Sequence, residues 1–371
     1  METTVPNLSP SDFSAEQTIT ISESSGNSDQ GADSGIDAIS KLPVKPQERY
    51  KFIRSIGFGG MKGVLLVHDR DTDRDVAMAI MPDFRDRPRQ DLNRFVREAY
   101  ITAKLEHPNI VPIHDIGVDQ SGSPYFTMKY LHGQTLAMIL HNRQLGKNSA
   151  EFPQERLLQI LIRICNAIAF AHRQGISHLD LKPGNIYCGD FGEVQVIDWG
   201  LAAAVDDDFD KGILQGTPGY MSPEFIRSEG KERPGPAADI YAIGAILYAI
   251  LANSTPFPGM SQQEILRRTL SGRIKPPSYM NPAVDPGLEA VCMKALSTDP
   301  RDRYKSVLEL RREIIACIDG FPTQAENPSN LRRLALYTKR HGAKLTIAVL
   351  LLLLIIVSSM LLIHRMGHPI L

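Results

Sequence analysis

The stretch His178-Leu179-Asp180-Leu181-Lys182-Pro183-Gly184-Asn185, followed by Asp198-Trp199-Gly200, constrains this chain more than any other. It sets an Asp, a Lys two residues on, an Asn three further and a second Asp thirteen beyond that. Phosphoryl transfer uses those residue types together. One carboxylate accepts the proton of an attacking hydroxyl, and an ammonium offsets charge on the moving group. An Asn and an Asp hold a divalent cation. The flanks suit a loop that must be held still. Leu157, Leu158, Leu161, Ile164, Ile168 and Ala171 recur at helical spacing before it, and Val194-Gln195-Val196-Ile197 reads as a short buried strand after it. A merely solvated loop would not need these four residues at these intervals.

Upstream, Tyr50-Lys51-Phe52-Ile53 leads into Ile56-Gly57-Phe58-Gly59-Gly60-Met61-Lys62-Gly63-Val64, a strand, a glycine turn and a second strand. Glycines there let backbone N–H groups approach phosphates without Cβ interference. Asp75 to Met81 reads as the next strand and Arg94-Phe95-Val96-Arg97-Glu98 as the start of a helix. Tyr125-Phe126-Thr127-Met128-Lys129-Tyr130-Leu131 reads as a further strand running into a hinge. A glycine hairpin alone is a weak signal, but this one precedes Asp180 by some 120 residues.

With these motifs together, the sequence resembles the eukaryotic-type (Hanks-type), bacterial-like Ser/Thr protein kinases over roughly residues 50–317. The resemblance implies an α+β, two-lobed kinase fold: a small antiparallel β lobe with one helix, and a large, mainly helical lobe. It implies Mg-ATP as phosphoryl donor and proteins with Ser/Thr acceptors as substrates. Asp180 becomes the catalytic base, Lys182 the phosphate-steadying cation, Thr217 their partner, and Asn185 and Asp198 the Mg²⁺ ligands. The nucleotide would lie against Gly57, Phe58, Gly59, Gly60, Met61, Lys62, Val64, Ala77, Glu98, Met128, Lys129 and Leu131, with Met128 as gatekeeper. Gly216 to Glu224 resembles the end of an activation segment, and Arg303 the late Arg that pairs with Glu224. Asp239 either caps the helix it begins or binds the catalytic-loop backbone.

Two family positions differ. Leu179 replaces the Arg before the catalytic Asp, and no Ser, Thr or Tyr lies between Asp198 and Gly216, where Asp206, Asp207, Asp208 and Asp210 stand. An activation loop that needs no phosphate is the expectation. The strand-three Lys of the Val-Ala-x-Lys pattern is also missing, with Ala79 in its place. Lys62, at the third glycine position of the loop, offers a substitute cation, and the with-no-lysine kinases show the same pairing. Their chloride site is not carried over, because Trp199 stands where they have Leu. Two readings follow: an active kinase whose catalytic lysine is Lys62, or a pseudokinase that binds nucleotide as a scaffold.

The ends carry different expectations. Residues 1–49 open with a stretch that has seven Asp/Glu and no Lys or Arg before residue 41, is rich in Ser and Thr, and is expected to lack structure. Residues 318–344 form a basic linker with Arg332, Arg333, Lys339, Arg340 and Lys344. Leu345–Ile363 is a charge-free run of 19 residues, about 28 Å as a helix and close to a hydrocarbon core. That predicts a single-pass transmembrane helix in the cell membrane, with the kinase domain on the basic, cytoplasmic side and 364–371 beyond. Net charge is −1, so nothing points to nucleic acid. The cysteines Cys165, Cys188, Cys292 and Cys317 show no metal spacing and read as reduced thiols. A homodimer stays open as a partner.

Overall fold

The structure, a computed structural model, describes residues 19–22, 41–44, 49–58, 62–204 and 213–366. A first short strand, β1 (Ile19–Ser22), precedes the small lobe. There β2 (Tyr50–Phe58), β3 (Gly63–Asp69), β4 (Arg74–Ile80), β5 (Ile113–Val118) and β6 (Pro124–Lys129) form one antiparallel sheet ordered β2-β3-β4-β6-β5. Helix α1 (Arg89–Lys104) covers it. Phe95, Val96, Ala99 and Thr102 recur every three or four residues and are buried, so one stripe faces the sheet. Phe95 meets Phe126 with ring centroids 5.0 Å apart.

The large lobe begins with β7 (Gly133–Thr135), α2 (Leu136–Gln144) and α3 (Gln154–Arg173). Short strands β8 (Ile176–Ser177), β9 (Ile186–Gly189), β10 (Val194–Val196), β11 (Ala203–Ala204) and β12 (Ile213–Gly216) carry the loops of the cleft. Gly133 has φ 137°, and a Cβ there would collide with the Cys188 carbonyl oxygen as β7 lies on β9. Helices α4 (Pro223–Arg227), α5 (Pro236–Ala252), α6 (Gln262–Ser271), α7 (Pro286–Ala295) and α8 (Val307–Ile318) complete it. Every residue of α5 from Ala238 to Ala252 is buried, as suits a helix apolar on all sides. Cys165, Cys188 and Cys292 are buried, Cys317 is half-buried, and all four are free thiols.

Three stretches differ from expectation. Ile19–Ser22, within the supposedly unstructured tail, pairs antiparallel with β12. Ile-Thr-Ile is β-prone, and its backbone groups find a ladder there. The basic linker is helical from Asn330, where α9 (Asn330–Met366) begins. Its first turn is tied to the lobe because Arg332 donates to Glu326 at 2.6 Å and to Asp285 at 3.0 Å. Helix α9 continues through the expected membrane span. Among the described residues, however, no helix is long and apolar enough to cross a membrane; the side chains at 343–345, 348 and 361–371 lie outside that description. Those that are described, Ile347, Val349, Leu350 to Val357 and Met360, are 41–66% exposed.

Candidate active site

The floor of the cleft is a loop hung from α5. Asp239, in the first turn of that helix and 1% exposed, accepts from the N–H groups of His178 and Leu179, each at 2.9 Å, and contacts His172 Nε2 at 2.8 Å. It binds the loop and caps nothing, since Gly235 holds the N-cap position. Burial works against its ionisation, but His172 and these amides outweigh it and hold the carboxyl below its usual range. The loop pays for its shape at Leu179, where φ is 66°, a left-handed value rare for a branched side chain.

That geometry delivers the charged residues together. The Thr217 hydroxyl donates to Asp180 Oδ1 at 2.8 Å and accepts from Lys182 Nζ at 2.9 Å. Lys182 Nζ also lies 3.2 Å from Asp180 Oδ2. Asn185 Nδ2 donates to the Asp180 carbonyl at 2.8 Å, which turns its amide oxygen the other way. The Ile197 N–H donates to the Asn185 carbonyl at 2.9 Å, locking the second carboxylate-bearing loop to the first. Asp198 itself has φ 64°. Trp199, next to it, is 1% exposed, with its ring 4.6 Å from that of His178.

At the roof, Lys62 reaches across from the position just before β3. Its Nζ donates to Glu98 Oε1 at 2.5 Å and to Asp198 Oδ1 at 2.7 Å. Burial lowers the ammonium's affinity for its proton, yet the carboxylates of Asp198 and Glu98 together raise it above its usual value. Burial likewise raises Glu98, whereas Lys62 holds Asp198 low against its own desolvation. Glu98 is pressed close to the Asp198–Gly200 loop: a Cβ at Gly200 would stand 3.2 Å from Glu98 Oε2. Ala79 is fully buried among Met81, Phe95, Val96, Ala99 and Phe126 and does not line the cleft.

Between roof and floor lies a cavity of 530 Å³. Gly57, Lys62, Val64, Ala77, Glu98, Met128, Lys129, Leu131 and Asp198 line it, as expected from sequence. Ala77 stands opposite Met128 in the β4–β6 ladder, and Val64 opposite Ala79 in the β3–β4 ladder. Gly59, Gly60 and Met61 lie outside the described residues, as does the side chain of Phe58. Asp180, Lys182, Asn185 and Thr217 form a second group that is not part of the cavity's lining. Phe126, Tyr130, Tyr187, Asp190 and Ile197 also line the cavity and were not foreseen. Phe126 and Ile197 had a signal, being two residues before Met128 and one before Asp198; Tyr187 and Asp190 had none, since β9 and its turn reach the cavity only through tertiary folding.

An antiparallel small lobe, a helical large lobe, a cavity between them and two charged clusters define a two-lobed phosphotransferase architecture. Residues 50–312 match the family described as protein kinase domain, and the chain belongs to it. It is 33% identical over 289 residues to serine/threonine-protein kinase PknB of Mycobacterium leprae, covering 76% of this chain and 45% of that protein. It is 34% identical to a probable serine/threonine-protein kinase of Streptomyces coelicolor (75% of this chain, 41% of that one). Against serine/threonine-protein kinase PknD of Chlamydia caviae the identity is 37%, covering 74% of this chain and 32% of that protein. The chain thus spans less than half the length of these curated relatives.

Proposed function

We propose that this chain is a Ser/Thr protein kinase that transfers the γ-phosphoryl group of Mg-ATP, with Lys62 doing the work of the absent strand-three lysine. The observation that carries this reading is the bridge from Lys62 Nζ to both Glu98 and Asp198. It puts a cation at the phosphate end of the cavity without any contribution from position 79. Asp180 accepts the proton of the acceptor hydroxyl, which makes that oxygen a better nucleophile. Lys182 lies beside it, where negative charge grows on the transferring group, and Thr217 fixes the distance between the two.

The residues present fit a magnesium ion. Asp198 offers a carboxylate, and Asn185, its nitrogen engaged by Asp180, offers a carbonyl oxygen; such hard oxygens suit that cation. When bound, the ion neutralises phosphate charge. Lys62 and Lys182 supply the protein's own share of that neutralisation from opposite sides. Lys62 bridges Glu98 and Asp198, and to reach the phosphates it would swing away from Asp198. Its four-carbon stem permits this.

A second reading, a nucleotide-binding scaffold without turnover, draws on Ala79 alone. Phosphate transfer from Mg-ATP to a generic basic protein, wild type against Asp180→Asn, separates the two. Transfer by wild type and none by the variant supports the kinase; equal signals remove Asp180 from its role.

We further propose that Leu345–Ile363 anchors the chain in the membrane with the kinase lobes on the cytoplasmic side. The support is the charge-free run, the five Lys/Arg before it against Arg365 after it, and the apolar side chains that α9 leaves exposed. Deleting residues 344–371 should release the protein from carbonate-washed membranes; retention would overturn the anchor.

A further inference from the structure

Strand β12 leads directly into Thr217, whose hydroxyl bonds Asp180. Leu214, 5% exposed, roots this strand in a cluster with Met221, Phe225 and Ile226, so its position is fixed by the lobe beneath it. Among the described residues its ladder partner is β1 alone. The register is antiparallel: Ile19 faces Gly216, Thr20 faces Gln215, Ile21 faces Leu214 and Ser22 faces Ile213. The end of the tail strand at Ile19 therefore lies one register position from Thr217, whose hydroxyl bonds Asp180. The tail's composition singles this strand out. Ile19-Thr20-Ile21 is a β-branched run within a stretch otherwise dominated by Ser, Asp, Glu and Gly.

We propose that the edge of β12 is a docking surface for extended peptide chains, and that the chain's own Ile19–Ser22 is its resident occupant, competing in cis with protein substrates. The inference rests on the kinase reading for its competition clause and on β-pairing alone for its docking clause. Strand addition to a sheet edge draws its affinity from main-chain hydrogen bonds. An incoming substrate chain that must lay a hydroxyl on Asp180 passes the same edge, so the two cannot dock together. Residues 23–41 join the strand to Leu42, which is buried in the core of the small lobe. A link of that length reaches at most about 65 Å and holds the strand at an effective concentration on the order of millimolar. The pairing can thus persist in cis while being weak enough for a good substrate to displace.

The test uses the full chain in detergent and a Thr20→Pro, Ile21→Pro variant. Prolines at both positions remove a ladder donor whichever way the strand alternates. The expected result is a KM for protein substrate about tenfold lower in the variant, with kcat and the KM for ATP unchanged. An unchanged KM for protein substrate would overturn the competition. Docking is read separately, without turnover, by fluorescence anisotropy of a labelled peptide of residues 13–28 added to the proline variant. Saturable binding, lost when the peptide carries the same prolines, is expected; no binding at millimolar peptide would overturn the docking surface. If the peptide binds and no phosphate is transferred to any substrate, the kinase reading has failed and the docking surface stands.

Discussion

Floor and roof of the cleft solve the same electrostatic problem in different ways. At the floor, contacts of 2.8–3.2 Å tie Lys182 and Asn185 to Asp180, and Thr217 to Asp180 and Lys182, on a loop that Asp239 clamps to a helix buried from Ala238 onward. Nothing there can move without breaking a bond. At the roof the cation arrives from Lys62, the residue just before β3, on a long flexible side chain, while position 79 is a buried alanine. Phosphate neutralisation needs a charge at a place, and a lysine stem can bring it from more than one backbone position. Proton abstraction and metal binding need oriented atoms, so their residues stay in fixed spacing.

Perturbing the floor should therefore cost the most. Asp180→Asn is expected to lower kcat on the order of 10³-fold with the KM for ATP preserved; a loss below tenfold would mean the base lies elsewhere. Next comes Asp239→Ala, which strands two buried amides and His172. It should lower unfolding free energy by about 3 kcal/mol in denaturant titrations. Because this carboxyl is held low in the folded state, its stabilisation is present above the ordinary carboxylate range and fades as pH falls from that range through the lowered folded value. The variant's stability should thus vary less with pH at the acid end. Parallel acid limbs in the two proteins would contradict the clamp.

Thr217→Val should act more mildly, slowing transfer on the order of tenfold, because Asp180 and Lys182 still meet at 3.2 Å without it. The smallest effect expected is none. Leu179 offers no cation for a phosphate, and no hydroxyl lies between Asp198 and Gly216. Phosphatase treatment should leave kcat/KM within about twofold. A collapse, with phosphate mapped to Thr217 or Ser222, would show that the floor is switched after all.

The floor was legible because its chemistry is local. Asp180, Lys182 and Asn185 fall within six residues, and the apolar periods around them fix a helix before and a strand after. The hinge was legible for the same reason, with Met128, Lys129 and Leu131 in one run. The roof was half legible: Lys62 announced itself by standing at the third glycine position of the loop while Ala79 stood where a strand lysine is usual. Tyr187 and Asp190 were not legible at all, since they enter the cavity through β9, whose place under the hinge is set by tertiary packing. The pairing of Ile19–Ser22 escaped for a related reason. Composition averaged over forty residues hid four β-prone ones whose partner lies nearly two hundred residues away.

The central claim is that Lys62 supplies the charge that Ala79 does not, and single-turnover phosphoryl transfer tests it most directly. Wild type, Lys62→Met, and Lys62→Gly combined with Ala79→Lys are to be compared at saturating Mg-ATP. The account predicts a loss on the order of 10²-fold for Lys62→Met, about 3 kcal/mol of barrier, and partial recovery in the double variant, whose new lysine starts beside Phe95 and must extend toward Glu98. A Lys62→Met enzyme that transfers phosphate at the wild-type rate would contradict it, and the charge at the roof would have to come from another residue.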